Sequence, residues 1–471
     1  ASLNAMGIGA GDRVAIILPN GPEMATAFVT ICQAATTAPL NPAYREDEFA
    51  FYLEDLKAKA VVLSKGDQGA AYVAAVKLGI PVIWLSVPDG SAAGYFTLAS
   101  DMRGDASGAA AADDVALILH TSGTTSRPKI VPLLQSNLVA SAVHIRDSLA
   151  LSQDDRCLNV MPLFHIHGLV AAVTASLAAG GSIFCSTGFN ALNFFAMMEE
   201  AEPTWYTAVP TMHQAILTRA DRNAKTIAKH PLRFLRSSSA SLPAQVMVSL
   251  QKTFAAPVIE AYGMTEAAHQ MACNPLPPRA QKPGAVGVAS GPMMRVASET
   301  ENHLIKGTGE IVISGPNVTP GYENNPDANA KSFFEAEGVR WFRTGDQGAF
   351  DADGYLYLTG RLKEIINRGG EKISPLEVDG VLLDHPDVAQ VVTFAVPHEK
   401  LGEEVGAAVV LKEGSRVTEK DLRDFAKGQI ADFKVPRKIV LMDEIPKGAT
   451  GKMQRIGLAE KLGLVERSTQ Q

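Results

Sequence analysis

A run of hydroxyl residues around one glycine is the first chemical signal in this sequence. Four hydroxyls and one glycine occupy residues 121–125, and Lys129 follows a proline. Hydroxyl and backbone N–H groups around a flexible glycine can wrap a polyphosphate, and a lysine adds positive charge. The run is not the usual mononucleotide loop, G-x-x-x-x-G-K-[ST]. It predicts either a phosphate-binding loop or a polar surface turn, and the phosphate-binding candidates are Thr121, Ser122, Gly123, Thr124, Thr125 and Lys129.

Other polar residues allow a chemical and a structural interpretation when each is taken alone. His165 and His167 lie two residues apart, which does not by itself make a metal site. Glu266 suits a cation that keeps most of its waters, or a helix N-terminus. Asp346 could accept hydrogen bonds from a ribose diol, or belong to a Thr-Gly-Asp turn. Lys452, in a glycine-flanked turn, could be reactive or simply solvated.

Bulk properties restrict the class of protein that could carry these residues. The chain has 471 residues, too many for one core, so two or more domains are expected. A net charge of −7 disfavours a nucleic-acid partner. Its four cysteines are far apart, which argues against disulfides and zinc and fits the reducing cytoplasm. No apolar stretch reaches the roughly 18–20 residues of a membrane span, so no membrane partner is expected.

The order of apolar runs predicts the elements that position these residues. Strands are predicted at residues 13–18, 60–63, 81–85 and 115–119, with a helix at 22–35 and a loop at 91–114. Alternation of short strands and helices favours an α/β fold with mostly parallel sheets. From Gly307 the pattern changes to strands at 310–314 and 354–358 joined by turns, which predicts a small β subdomain.

A charged stretch after Gly360 marks the predicted domain boundary. We expect an N-terminal domain at residues 1–360 and a small α+β C-terminal domain at 361–471. The chain opens at Ala1 in what reads as a helix already under way, so the first residues of the N-terminal domain are expected to be missing.

Taken in order, the motifs resemble the AMP-forming adenylating enzymes, a family that includes acyl-CoA synthetases, peptide-synthetase adenylation domains and luciferases. The family's phosphate loop is similar to T-S-G-T-T-G-x-P-K-G, from which this chain departs at Ser126 and Ile130. The other matching segments are residues 162–168, 236–242, 260–266, 344–346, 360–361, 367–374 and 446–452. The resemblance covers nearly the whole chain.

This resemblance implies a nucleotide site and a catalytic lysine. Tyr262 would stack on adenine, Thr265 would bond the α-phosphate and Glu266 would help to hold Mg²⁺. Lys452 would span the attacking carboxylate and the phosphate. The remaining nucleotide-binding residues implied are Ser239, Ala240, Ser241, Glu260, Ala261, Asp346 and Arg361.

The resemblance also implies an acyl pocket, a hinge and a channel for coenzyme A. His165 would be a gate residue beside the adenylation site, and Lys363 the hinge of a mobile C-terminal domain. Residues lining the channel for coenzyme A would be Arg368, Gly369 and Gly370. Those binding the substrate acid would be His167, Ser239 and His269.

The implied reaction activates a carboxylic acid with ATP and passes it to coenzyme A, releasing AMP and pyrophosphate. The local strings are most similar to those of family members that act on oxalate. Two histidines suit a small dianion, whereas they would be costly in an apolar tunnel for a fatty acid if left unpaired. Malonate, acetate or a carrier protein in place of coenzyme A stay open as alternatives. A non-catalytic nucleotide-binding protein and a light emitter are less consistent with the motifs.

Overall fold

The computed structural model of the chain describes residues 1–106, 108–121, 128–447 and 453–465. Within these ranges the strands form four sheets, of which two are mostly parallel and two mostly antiparallel. The predicted α/β class is confirmed, with a β subdomain and a smaller α+β C-terminal part. No helix in the described ranges has both the length and the apolar character needed to cross a membrane.

The first sheet is built from strands near the N-terminus, which read as almost continuous apolar runs. Its elements are α1 (Ser2–Ala5), β1 (Arg13–Ile17), α2 (Pro22–Ile31), β2 (Thr36–Pro39), α3 (Glu46–Leu56), β3 (Ala60–Ser64), α4 (Ala70–Lys77), β4 (Val82–Ser86), β5 (Thr97–Ala99), β6 (Val115–Thr121), β7 (Lys129–Leu134) and α5 (Gln135–Ser148). The strand order is β5-β4-β3-β1-β2-β6-β7, and only the edge strands β5 and β7 pair antiparallel. Apolar runs of this kind are typical of parallel strands covered on both faces.

The second sheet repeats this plan and positions most of the candidate site. Its elements are β8 (Arg156–Asn159), a π-helix (His167–Thr174), α6 (Ala175–Ala178), β9 (Ser182–Cys185), α7 (Phe194–Ala201), β10 (Trp205–Ala208), α8 (Pro210–Ala220), a 3₁₀-helix (Asp221–Asn223), α9 (Ala224–Lys229), β11 (Phe234–Ser238), α10 (Ala244–Phe254), β12 (Val258–Met264), a 3₁₀-helix (Thr265–Ala267), β13 (His269–Cys273) and β14 (Val288–Ala289). The order is β14-β13-β12-β11-β10-β8-β9, with β8 to β12 parallel.

The third and fourth sheets complete the described chain. The third contains β15 (Met293–Ala297), β16 (Leu304–Ile305), β17 (Gly309–Ser314), α11 (Pro326–Ser332), β18 (Phe333–Ala336), β19 (Val339–Phe350) and β20 (Leu356–Arg361). The fourth contains β21 (Ile366–Arg368), β22 (Glu371–Ile373), α12 (Pro375–Leu383), β23 (Val388–His398), β24 (Gly402–Leu411), α13 (Glu419–Lys427), a 3₁₀-helix (Asp432–Lys434), β25 (Lys438–Leu441) and α14 (Leu458–Lys461). Only β24 and β25 pair parallel in these two sheets.

Separate hydrophobic clusters accompany this division. One hydrophobic cluster joins the first three sheets and extends from Leu3 to Leu356. Another begins at Ile366 and fills the C-terminal part as far as Ile439. The predicted domain boundary falls between the two clusters. Its position stays a prediction, although β20 continues through Arg361 and therefore one residue past the predicted end of the first domain.

Two predicted elements differ clearly from the structure, and the strand predicted at 354–358 is shifted to Leu356–Arg361. The helix predicted at 22–35 ends at Ile31, because the chain turns there before Thr36 begins the next strand. The stretch predicted as a loop at 91–114 contains β5, which pairs with β4 through Trp84 and Ala99. A three-residue edge strand carries too little apolar pattern to be recognised, and its pairing partner decides its conformation.

Candidate active site

Many of the predicted site residues lie where strands of the second sheet end. Strand β11 ends at Ser238 and leads directly into the turn of Ser239, Ala240 and Ser241. Strand β12 contains Glu260, Ala261 and Tyr262, and is followed by Thr265 and Glu266. Because β10, β11 and β12 are parallel, their carboxyl ends meet at one edge, the usual ligand-binding edge of open α/β sheets.

Two histidines form the centre of a buried polar cluster at this edge. His167 is 0% exposed and His269 is 2% exposed, and their ring centroids are 5.1 Å apart. The Nδ1 atom of His167 lies 3.0 Å from the Ser239 hydroxyl, and its Nε2 atom lies 2.6 Å from the Thr207 hydroxyl. The structure therefore brings together the three residues predicted to bind the substrate acid.

The backbone around this cluster adopts conformations that side chains rarely tolerate. Positive φ angles occur at Ser239 (75°), Ala268 (47°) and His269 (103°). Each costs of order 1–3 kcal/mol and persists only where the surroundings enforce it. A Cβ added to Gly263 would lie 1.9 Å from the carbonyl oxygen of His269, so only glycine allows this close approach. Strain at three non-glycine residues around one cluster supports a functional role for it.

His165 lies two residues before His167, where the π-helix begins. Its Nδ1 atom accepts a hydrogen bond from the backbone N–H of His167 at 3.2 Å, and its side chain is half-buried. The π-helix begins at His167 itself. Such helices are rare and often occur at functional sites. The predicted gate role of His165 stays a prediction.

Glu266 is a buried carboxylate close to the strand that follows the predicted phosphate loop. The Tyr322 hydroxyl donates a hydrogen bond to its Oε1 atom at 2.8 Å. The Nζ atom of Lys129 lies 4.1 Å from the centroid of the Tyr322 ring. Burial lowers the pKa of Lys129, and the negative charge of Glu266 opposes this shift. The structure thus places a carboxylate and an ammonium group together, as binding of a metal–polyphosphate would require.

The metal ligands present fit Mg²⁺ better than a metal held entirely by protein. Among the described residues, no three acidic, histidine or cysteine side chains are grouped to hold an ion. A cation beside Glu266 would complete its coordination with phosphate oxygens and water. Mg²⁺ is commonly held in this way, through one or two carboxylates and substrate phosphates.

The predicted ribose-binding pair is in direct contact. Asp346 on β19 lies opposite Arg361 on β20, and the Arg361 Nε atom is 3.2 Å from the Asp346 carboxylate. The Tyr262 hydroxyl donates a hydrogen bond to the same carboxylate at 2.5 Å. Burial raises the pKa of Tyr262, so its hydroxyl stays protonated. The third sheet therefore contributes its carboxylate to the edge of the second.

Glu260 holds the predicted adenine-binding turn through its side chain. Its Oε1 atom accepts the backbone N–H of Leu242 at 2.9 Å. Ser239 is half-buried and Ala240 and Ser241 are exposed, so this turn is accessible to a base. Burial raises the pKa of Glu260 to about 8. The geometry supports a positioning role for this side chain. Its predicted contact with the nucleotide stays a prediction.

Several predicted residues lie on the C-terminal side of the site. Lys363 is exposed and follows β20, and its charge contributes to the lowered pKa of Lys129. Gly369 (φ 60°) and Gly370 (φ 96°) form the turn of the β21–β22 hairpin. Arg368 donates a hydrogen bond from Nε to Glu404 at 2.6 Å. The predicted hinge and channel roles of these residues stay predictions.

Part of the predicted site lies outside the described residues. Thr121 ends β6 and lies opposite Lys129 in β7. Predicted residues beyond the described ranges are Ser122, Gly123, Thr124, Thr125 and Lys452.

Three residues of the site were not predicted to contribute to it: Thr207, Arg236 and Tyr322. Arg236 left a signal, because a charged residue follows Phe234 and Leu235 inside a strand. Thr207 and Tyr322 could not be recognised in the sequence, because hydroxyl residues are common. Only the folded chain brings Thr207 to His167 and Tyr322 to Glu266.

Comparison with known proteins assigns the chain to a family. The family model for the AMP-binding enzyme matches residues 1–323, and the model for the C-terminal domain of the AMP-binding enzyme matches residues 377–452. The chain therefore belongs to the AMP-binding enzyme family, and the predicted resemblance to AMP-forming acyl-CoA synthetases is confirmed.

Similar proteins from plants and yeast cover nearly the whole chain. It is 47% identical to the probable CoA ligase CCL9 of Humulus lupulus (97% of this chain, 88% of the relative). It is 48% identical to the oxalate–CoA ligase of Arabidopsis thaliana (95% and 88%) and 42% identical to that of Saccharomyces cerevisiae (95% and 86%). Among solved structures, ATP-bound MatB from Rhodopseudomonas palustris matches with a TM-score of 0.85 and 31% identity (98% and 90%).

Proposed function

We propose that this protein is an ATP-dependent oxalate–CoA ligase that works through an oxalyl-adenylate. The observation that carries the choice of substrate is the pair of buried histidines beside Ser239 at the edge of the second sheet. Oxalate has one carboxylate to react and a second that needs hydrogen-bond donors. Relatives at 42% and 48% identity named oxalate–CoA ligase support the same substrate.

In the first half-reaction a substrate carboxylate attacks the α-phosphorus of ATP and pyrophosphate leaves. Negative charge accumulates on the phosphoryl oxygens, so catalysis needs positioning and fixed positive charge. We assign binding of the pyrophosphate leaving group to Lys129 and the loop at 121–125. Lys452 would contact the reacting oxygens. Thr265 would bond the α-phosphate. Mg²⁺ beside Glu266 would neutralise charge on the phosphates.

The rest of the proposed nucleotide site holds adenosine. Asp346 and Arg361 would bond the ribose, while Tyr262 is held by its own hydrogen bond to Asp346. The turn at residues 239–241, fastened by Glu260, would line the base.

In the second half-reaction the thiol of coenzyme A attacks the adenylate and AMP departs. One static arrangement would struggle to serve both steps, so we propose that the C-terminal domain moves about Lys363. The movement would withdraw Lys452 and bring the turn of Gly369 and Gly370 toward the thiol. The proposed cytoplasmic location stays a prediction.

A substrate panel tests the proposed function. Release of AMP and pyrophosphate should be fastest with oxalate among oxalate, malonate, acetate and hexanoate, and AMP release should need coenzyme A for repeated turnover. Faster reaction with acetate or hexanoate would remove the oxalate assignment. Pyrophosphate exchange that proceeds while coenzyme A accepts no acyl group would instead favour a carrier protein as the acceptor.

A further inference from the structure

Arg236 is a fully buried arginine whose hydrogen bonds are incomplete. It lies on β11 with 0% exposure, and its Nη1 atom is 3.5 Å from Nε2 of His167. Its Nη2 atom is 3.5 Å from Nδ1 of His269 and 3.2 Å from Oε1 of Gln270. Its Nε atom has no hydrogen-bond partner among the described residues. A guanidinium with five N–H donors is therefore held mostly by long contacts to neutral groups.

No carboxylate balances the charge of Arg236 in the part of the chain that the structure describes. The nearby thiols of Cys157 and Cys273 supply no negative charge at neutral pH, because burial raises the pKa of both. Burial lowers the pKa of Arg236 to about 10, so the guanidinium is still cationic at neutral pH. Burying an ion without a partner costs several kcal/mol. Because this cation lies beside the predicted acyl pocket, its charge is available to pair with a negatively charged group of the substrate.

We propose that Arg236 is the counter-charge through which the acyl pocket selects a substrate with a second carboxylate. This inference rests on the proposed function and adds a specificity-determining residue to it. His269 and Ser239 would donate hydrogen bonds to the distal carboxylate, and His167 would orient the Ser239 hydroxyl. Arg236 behind both histidines balances the negative charge of that carboxylate. A monocarboxylate would leave that charge uncompensated.

Arg236 also fixes which histidine nitrogens can donate. A guanidinium N–H can only donate, so its contacts of 3.5 Å favour the tautomers in which Nε2 of His167 and Nδ1 of His269 accept. Each ring then carries its proton on the opposite nitrogen, and for His167 this is Nδ1, which is directed at the Ser239 hydroxyl. The adjacent cation also disfavours a second proton on either ring. Arg236 thus acts as a positioning residue for two neutral donors.

The test compares oxalate with oxamate, in which an amide of the same size replaces the second carboxylate. Arg236→Met removes the charge and keeps most of the volume, whereas Arg236→Lys keeps the charge. Two unit charges ~6 Å apart at an effective dielectric constant of about 20 correspond to a factor of about 100 in affinity. We expect Arg236→Met to lower the oxalate-to-oxamate ratio of kcat/KM by about 100-fold and Arg236→Lys to keep it within about tenfold.

Arg233→Met is the matched control. Arg233 precedes the same strand but is paired with Asp155 through two hydrogen bonds of 3.0 Å. Its loss removes an arginine from the same region and should leave the oxalate-to-oxamate ratio unchanged. Thermal unfolding of each variant separates a folding defect from a change in specificity.

A structural role predicts a different outcome. If Arg236 only fills the core, Arg236→Met will lower both rates equally and keep the ratio, which overturns the inference. Should Arg236→Met fail to fold, Arg236→Gln provides the uncharged variant, and the same ratio decides. A wild-type protein inactive on oxalate would instead overturn the proposed function, whereas activity on oxalate with an unchanged ratio in the variant overturns this inference alone.

Discussion

Glu260 illustrates how burial changes the chemistry of a single residue. Its side chain is buried, and among the described residues its one hydrogen-bond donor is the Leu242 N–H. Burial therefore raises its pKa from 4.5 to about 8, and the carboxyl group is protonated in the folded protein at neutral pH. The unfolded chain has lost this proton at the same pH. Folding at neutral pH is thus coupled to uptake of a proton.

This coupling predicts how stability changes with pH. Between pH 4.5 and 8 the folded state binds one more proton than the unfolded state, so Glu260 contributes stability that decreases as pH rises, by roughly 1.4 kcal/mol per pH unit. Glu260→Gln removes the titration and keeps an acceptor for Leu242. The free energy of unfolding of wild type relative to Glu260→Gln, measured in urea without ligands, should fall by about 3 kcal/mol from pH 5.5 to 7.5. Parallel pH profiles for the two proteins would contradict the assigned proton.

At the scale of elements, the hairpin of β12 and β13 decides where His269 lies. The register of the two strands shifts between Tyr262 and Gly263, which leaves His269 opposite Met264. Ala268 and His269 both have positive φ angles in the turn. A bulge of this kind redirects a side chain, and bulges are common beside active sites. Here the bulge aims an imidazole at the cluster around His167.

Gly263→Ala should therefore damage the site through the backbone. The added Cβ would meet the carbonyl of His269, and main-chain atoms cannot move aside as a flexible side chain can. Overpacking of this kind typically costs about 1–3 kcal/mol. We expect a lower melting temperature and a loss of oxalate turnover of at least about tenfold, which corresponds to roughly 1.4 kcal/mol in transition-state energy.

Gly380→Ala is the control for this glycine substitution. Gly380 lies within α12, and an added Cβ would meet no atom within 4 Å. Alanine is favoured over glycine in a helix interior by about 1 kcal/mol, so this variant should melt at the same or a higher temperature with unchanged turnover. Equal turnover in both variants would contradict the role assigned to the hairpin.

For the whole molecule, polar contacts link the third sheet and its flanking turns to the C-terminal part. Lys372 pairs with Glu299, and Ser374 donates a hydrogen bond to the carbonyl of Thr359. An ion pair exposed to solvent contributes at most about 1 kcal/mol. By contrast, Arg455 is anchored inside the C-terminal core by a 2.6 Å contact to Asp379. The segment around Arg455 is thus tied to that core, so the proposed domain movement would carry this segment with it.

Lys452→Ala tests this arrangement by separating the two half-reactions. We expect loss of pyrophosphate release with ATP and oxalate, while transfer from a supplied oxalyl-adenylate to coenzyme A stays within about threefold of wild type. The reason is that the lysine would be withdrawn before the second step. Stopped-flow assays of each half-reaction measure both rates. Lys447→Ala, which removes a lysine paired with Glu444, should preserve both, and equal loss of both halves in Lys452→Ala would count against domain movement.

The sequence by itself determined the family and the α/β class, and it predicted a nucleotide site. Hydroxyls before Lys129, an acid at Glu266 and the carboxylate of Asp346 are residue types that suit phosphate, metal and ribose, and they appear in the expected order. Apolar runs likewise predicted the parallel strands, because strands buried on both faces need them. The exact end of α2 and the edge strand β5 could not be predicted from the sequence, because neighbouring strands decide them.

Only the tertiary structure decided how the predicted acyl pocket is charged. His167, Arg236 and His269 come from three different elements, and the sequence does not show that the arginine lies against both histidines. Their contacts exist because β11 places Arg236 between the π-helix and the β12–β13 hairpin. The absence of a balancing carboxylate among the described residues is likewise a property of the packed chain. Residue types in the sequence indicate which chemical groups a reaction could use. Burial and pairing set the charge and protonation of those groups, and both arise only when distant segments of the chain meet.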